Sequence, residues 1–491
     1  MKTAYDAVQE DYKKRKLPFS FFEKQTTDGY TFFNYRYMTP FTFPELSTIE
    51  DEEMRRHQSL LRECRGIVFD TQTGKLVSRP FHKFFNVNER DETLQEKLDL
   101  SQSFHLLEKV DGTMVCPVIT RLPNEVTANN EQLYTLHFRT KMGWDTDIAL
   151  HIEKLLFNTT DQHQRPKFTQ SQNGTFTLQQ SDSTQEQHSS GDFQIGRDVM
   201  WNYINHSVHW ISQGYTPIYE FASPDNTIVL FYSQPILKLL AIRHVETGHY
   251  VPYEESLRDA QHYNIPVVSP IAINGGMEEV METIKNMSDV EGFVLRFARS
   301  GNMYKIKSSW YVDKHKRQTK SVWGTLDEAG VYKAVALGTI DDVIAGIDDQ
   351  EGKDVMNDFN TVFWRGVNLT CVGLMNKVEQ LRRDAESQGV PEHNQKRWLY
   401  ECLSKEKVNR DEQVLLTSLF HKKQDESAEN IVVAYVQTIF KRQKGKKIPE
   451  VISVLEKYSG LEIAMKKSQY QEVKKRNDDR KRADHDKTII K

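Results

Sequence analysis

Up to about Val312 the apolar positions come in short alternating runs, and beyond it they recur every three or four residues. The first pattern has the period of two of half-buried strands, the second the period of amphipathic helices. Runs such as Phe104-His105-Leu106-Leu107, Ile218-Tyr219-Glu220-Phe221, Val290-Glu291-Gly292-Phe293-Val294-Leu295 and Tyr304-Lys305-Ile306-Lys307 read as strands. Glu246-Thr247-Gly248 and Ser300-Gly301-Asn302 read as hairpin turns between strands. Together they predict an α+β domain of largely antiparallel sheets with flanking helices over residues 1–312. From 313 to 491 the spacing of Phe359, Val362, Phe363, Val367, Cys371, Leu374, Val378 and Leu381, with Gly389 as a stop, predicts a separate all-α domain. Similar runs surround Ile431–Tyr435 and Val451–Leu455.

One stretch fits neither pattern. From about 158 to 192 the chain is rich in Gln, Ser, Thr and His, as in Gln179-Gln180-Ser181-Asp182-Ser183, and poor in apolar residues. It reads as a flexible insertion between two strands of the first domain.

Composition narrows the classes. The 491 residues suffice for two or more domains with cores, and no uninterrupted apolar run is long enough to span a bilayer. The formal net charge of -4 excludes nucleic-acid binding by global charge, so any nucleic-acid surface must be local. Two basic clusters could supply one: Lys441-Arg442-Gln443-Lys444-Gly445-Lys446-Lys447, and the tail with Lys474-Lys475-Arg476 and Arg480-Lys481-Arg482. The second is interspersed with acids and reads equally as a solubilising tail. Four cysteines, Cys64, Cys116, Cys371 and Cys402, lack the paired spacing of zinc or redox motifs. A reducing compartment is expected, cytoplasmic or nuclear, and Met1–Asp6 leads into charged residues rather than a secretory leader.

The candidate chemistry lies in the strand-like half. Lys109-Val110-Asp111-Gly112 sits between apolar runs, with Gly112 permitting a turn and Asp111 free to bond that turn or a nearby cation. Glu220 and Glu291 place carboxylates among apolar neighbours, and Lys305 and Lys307 share one face of a strand. Singly, each has a plain reading: a hairpin turn, edge-strand charges, a solvated face, core aromatics. Their order, lysine, carboxylate, carboxylate, paired lysines, is that of the covalent nucleotidyltransferases. An amine that attacks phosphorus near neutral pH must first shed a proton. Lys305 and Lys307, with a divalent metal, would disfavour a third positive charge at Lys109 and neutralise phosphate oxygens in the transition state.

With Glu63-Cys64-Arg65-Gly66, Ser78-Arg79-Pro80-Phe81-His82-Lys83-Phe84-Phe85-Asn86, Arg139-Thr140-Lys141 and Lys307-Ser308-Ser309-Trp310-Tyr311, the chain resembles the ATP-dependent RNA ligases of the phage RNA ligase 1 type from about Phe32 to Tyr311. That resemblance implies three steps: Lys109 takes AMP from ATP and releases pyrophosphate, AMP moves to an RNA 5′-phosphate, and an RNA 3′-hydroxyl displaces it. It implies catalytic roles for Lys305 and Lys307. Around the nucleotide it implies Tyr35, Arg65, Lys83, Phe85, Lys141 and the 109–112 motif with Asp111 and Gly112, with Glu220 on the ribose hydroxyls. Glu291 is implied for a magnesium ion, with manganese as the alternative. Repair of a cleaved tRNA is also implied by likeness alone, and the late helical domain, where no motif matches, falls where the family selects its RNA.

A DNA ligase or capping enzyme would share the lysine but continue into an oligonucleotide-binding barrel, against the helical periodicity seen here. An inert RNA-binding relative would be expected to have lost some of these residues. No Gly-x-x-x-x-Gly-Lys-Ser/Thr loop is present, so a separate kinase and phosphatase are expected to prepare the RNA ends.

Overall fold

Alternation sets the strands, and three antiparallel sheets result. In the computed structural model, which describes residues 1–15, 22–35, 41–179, 197–273, 275–312, 328–344, 350–422, 428–442 and 448–463, the strands are β1 (Phe22–Thr27), β2 (Tyr30–Tyr35), β3 (Arg65–Asp70), β4 (Leu76–Ser78), β5 (Phe104–Glu108), β6 (Thr113–Val126), β7 (Gln132–Arg139), β8 (Lys167–Gln170), β9 (Phe176–Leu178), β10 (Tyr215–Ala222), β11 (Ile236–His244), β12 (Pro270–Ile271), β13 (Gly292–Phe297) and β14 (Met303–Lys307). They order as β1-β2-β3-β4, as β11-β10-β6-β7-β8-β9 and as β12-β5-β13-β14. The hairpin signals hold: Gly248 and Gly301 take left-handed φ values of 75° and 69° after β11 and between β13 and β14.

β5 and β6, the two runs flanking Lys109, lie in different sheets. The segment 109–112 is therefore a crossing from one sheet to the next rather than a hairpin, and Gly112 is not in a left-handed conformation. A Cβ there would instead collide with the carbonyl oxygen of Phe221 on the neighbouring β10. The glycine is required for close approach, not for a turn.

A core lies beneath the six-stranded sheet, where Leu136, Phe138, Tyr219, Phe221 and Leu239 meet Ile152, Leu156, Tyr203, Ile204 and Trp210 from the helices Asp147–Phe157 and Arg197–Ser212. Part of the stretch expected to be a flexible insertion belongs to this core. β8 and β9 extend the sheet, Phe168 is buried, and the Phe176 ring stands 5.3 Å from that of Tyr134. Arg165, buried, pairs with Glu153 at 2.8 Å. Two aromatics and one ion pair suffice to order a polar segment whose composition concealed them; positions 180–192 of it lie outside the described residues.

The chain divides into two compact units: Glu23–Tyr35 with Ser59–His315, and Met1–Phe22 with Arg36–Gln58 and Lys316–Lys491. In the second, the spacing from Phe359 to Leu381 falls on one 38-residue helix, Gln350–Ser387, and Gly389 follows it at a φ of 65°. Gly366 and Gly373 let this helix approach the Ile448–Ser459 helix and Ile463, because a Cβ at Gly373 would stand 2.9 Å from the Tyr458 carbonyl oxygen. Positions 443–447 and 474–482, which carry most of the basic clusters, lie outside the described residues. Among the described residues no helix is long and apolar enough to cross a membrane.

Candidate active site

Strand register brings the chemistry together. Lys109 follows the last residue of β5, and its N–H donates to the Gly292 carbonyl at 2.9 Å; Gly292 lies opposite Lys307 on β14. A Cβ at Gly292, whose φ is 147°, would collide with the Ile306 carbonyl oxygen, so the residue beside Glu291 must be glycine for β13 and β14 to close. The side chains then converge. Lys109 Nζ stands 2.7 Å from Glu291 Oε1, and Lys307 Nζ stands 3.9 Å from the same oxygen. Glu291 is buried, with its carboxylate 4% exposed, while Lys109 keeps 23% exposure. The other oxygen, Glu291 Oε2, is buried with no hydrogen-bond partner. A buried carboxylate oxygen in that state is a ready ligand for a cation.

Glu220, on β10 opposite Met114, faces the same group. Burial pushes its carboxyl up to about 8; Lys109 and Arg65 pull it down, Glu291 and Asp111 push it further up. At neutral pH this carboxyl holds its proton, and a cation brought beside it would draw that proton off.

A second group of expected residues gathers around Tyr35, whose N–H bonds the Cys64 carbonyl at 2.8 Å. Lys141 Nζ lies 4.7 Å and Lys83 Nζ 5.4 Å from the Tyr35 ring centre, and Lys83 lies 5.1 Å from that of Phe85. Gly66, at a φ of 89°, brings β3 against Lys141, since a Cβ would stand 2.7 Å from the Lys141 Cα. Phe84 is flanked by Arg65 and Lys305, each 5.4 Å from its ring centre. Lys305 is held through its backbone, donating to Phe85 O at 3.0 Å and accepting from Val87 N at 2.9 Å.

Crowded cations shift each other. Burial, then Lys83 and Arg65, brings Lys305 down to about 7. Burial raises the Tyr35 phenol, but Lys83, Lys141, Arg65 and Lys305 outweigh it and bring it down to about 7. Tyrosine ionises near 10 in an unfolded chain, so between about pH 7 and 10 the folded state binds fewer protons at Tyr35 and this group's contribution to stability grows as pH rises. We expect an ultraviolet titration to show one of the 20 tyrosines ionising near pH 7. Tyr35→Phe should remove that step, and a bound triphosphate, competing for the same cations, should move it to higher pH. A spectrum flat up to about pH 9 would contradict it.

Asp111 does other work than expected. Its Oδ2 accepts from the N–H groups of Val229 and Leu230, both at 2.7 Å, and its Oδ1 from the Tyr311 hydroxyl at 2.7 Å. These bonds tie the 109–112 crossing to a distant loop. Tyr311, quoted in a motif but given no role from sequence, is thereby a structural partner of the lysine's segment. Sequence reasoning also missed Glu63, which accepts two bonds from Arg79 and two from Arg243, 2.8 to 3.2 Å long, and is brought down to about 2 by these arginines against the opposing effect of burial. Arg243 lies 180 positions away, and no local pattern couples them. Arg90, 4.1 Å from the Phe85 ring centre, was missed for want of any motif.

Among the described residues no group of three His, Cys, Asp or Glu side chains could hold a metal by itself. A divalent ion here would take most of its ligands from phosphate oxygens and water, and the unpartnered Glu291 Oε2 is an oxygen suited to join them.

A lysine amine thus stands beside a buried carboxylate, at a seam of antiparallel sheets and next to a nest of cations. The chain belongs to the RNA ligase family of the phage RNA ligase 1 type: the family model described as RNA ligase matches residues 63–311, about half of the chain. It is 30% identical over 261 residues to a provisionally named RNA ligase of Thermovibrio ammonificans, a match covering 52% of this chain and 53% of that one. It is 22% identical over 305 residues to RNA ligase 1 of bacteriophage TS2126, covering 59% of each. The chain thus spans little more than half the length of these relatives. Among solved structures, an archaeal ATP-dependent RNA ligase aligns with a TM-score of 0.32 at 13% identity, over 60% of this chain and 66% of that one.

Proposed function

We propose that the protein is an ATP-dependent RNA ligase that joins a 5′-phosphate to a 3′-hydroxyl through AMP carried on Lys109. The observation that carries this reading is the Lys109 amine 2.7 Å from Glu291 Oε1, with Lys307 on the same oxygen and Glu291 Oε2 left without a partner. In the first step the Lys109 nitrogen forms a bond to the α-phosphorus of ATP as the bond to pyrophosphate breaks. Glu291 holds the ammonium in place beforehand; as that pairing is withdrawn the part-exposed ammonium gives a proton to solvent, and the neutral amine attacks. A magnesium or manganese ion held by Glu291 would supply charge neutralisation on the phosphate oxygens. Lys307 faces the same oxygens from β14. Arg65, Lys83, Lys141 and Lys305 form a cradle suited to the departing pyrophosphate, lined by Tyr35 and Phe85, and Glu220 suits ribose hydroxyls.

RNA with a 5′-phosphate is the expected acceptor, with a broken tRNA loop as the natural form of it, after a separate kinase and phosphatase have prepared the ends. The test is incubation with α-labelled ATP and magnesium, followed by addition of 5′-phosphorylated RNA. Label should appear on the protein, then at the RNA 5′ end, then vanish as strands join. A protein that takes no label, or that seals only nicked DNA, would overturn the reading.

A further inference from the structure

Phe231 is 71% exposed, more than any other large apolar side chain among the described residues. Ile228, three positions earlier, is 42% exposed. Phe231 thus presents an aromatic face to solvent.

This backbone is fixed, and fixed to the nucleophile's own segment. The Ser223 hydroxyl accepts from Asn226 N at 3.2 Å, and the Asn226 amide donates to the Thr113 hydroxyl at 3.2 Å. Asp111 accepts from Val229 N and Leu230 N. The Tyr232 hydroxyl accepts from Asp111 N at 3.2 Å. Phe231 is therefore held between two residues that both bond Asp111, two positions from Lys109. Val229 is fully buried while Phe231 is not.

Resting on the RNA ligase reading, we propose that Phe231 is a stacking platform for the base of the RNA nucleotide that carries the 5′-phosphate. Transfer of AMP from Lys109 brings that phosphate to the lysine, so its nucleotide must lie beside the 109–112 segment. An exposed aromatic face anchored to the same segment offers its base a partner, whatever the base, because every base has a π-face. The platform thus favours an unpaired 5′ end without reading its sequence.

The test is a cycle between protein and substrate. Affinity for a 5′-phosphorylated single-stranded RNA is measured by fluorescence anisotropy for the wild-type protein and for Phe231→Ala, Phe231→Leu and Phe231→Trp. Each is paired with the same RNA made abasic at its first nucleotide. Phe231→Ala should weaken binding about tenfold, Phe231→Leu about as much, and Phe231→Trp should bind like the wild type. The abasic RNA should lose the same factor on the wild type and nothing further on Phe231→Ala. Leucine binding as well as phenylalanine, losses that multiply, or an effect erased by an abasic 3′ end instead, would each overturn the platform. Uptake of label from ATP, which needs no RNA, separates the two readings: label with no stacking effect sinks this proposal alone, and absence of label from the wild type sinks the ligase reading.

Discussion

Lys109→Arg should take up no AMP from α-labelled ATP. Arginine keeps the positive charge facing Glu291, 2.7 Å from Lys109 Nζ, and so keeps the site's charge balance, but its guanidinium stays protonated and offers no lone pair to phosphorus. The loss should exceed about a thousandfold, with thermal unfolding close to that of the wild type, because the side chain is part exposed and unhindered on one side. Supplied with RNA already bearing a 5′ AMP cap, the same variant should still join strands, since the two earlier steps are bypassed. Labelling that persists would move the nucleophile elsewhere. Failure on capped RNA would give Lys109 a part in the final step or in the fold.

Glu291→Gln should abolish labelling as completely while leaving the shape of the site intact. The amide can accept from Lys109 and Lys307 but cannot balance their charges or bind a divalent ion through a buried anionic oxygen. Lys109 can turn to solvent, so the lost attraction should contribute only about 1 kcal/mol to stability and shift the midpoint by a few degrees. A normal rate of labelling with a midpoint about 10 °C lower would make Glu291 a structural residue. Excess manganese or magnesium should not rescue the variant, which separates loss of a ligand from weakened affinity for the ion.

Much of this was legible along the chain because it is local. Alternation placed Lys305 and Lys307 on one face of β14 and Glu220 on β10, with Glu291 falling just before β13 rather than on it; the spacing from Phe359 to Leu381 traced a single long helix. What stayed hidden depends on distant partners. That β5 and β6 part into separate sheets follows from β5 pairing with β13, nearly two hundred positions later, and nothing in Lys109-Val110-Asp111-Gly112 announces it. The glycine was expected for a turn and serves instead to let Phe221 pass. Composition misjudged residues 158–179 because a sheet edge needs only a few apolar side chains, here Phe168 and Phe176, to hold an otherwise polar hairpin. Glu63 and Arg243 each look like ordinary surface charges until the fold brings them together.

The bond from Tyr311 to Asp111 joins residues 200 positions apart, and Lys109 takes its backbone partner from Gly292. A ribosome therefore has to deliver nearly the whole first unit before the lysine's segment acquires its geometry. During synthesis the emerging polypeptide carries Lys109 without Glu291 or Lys307 beside it, and the three meet only near the end of that unit, after the long-range pairings that make sheet proteins slow to fold. Half-made chains released early carry the lysine but not its buried carboxylate.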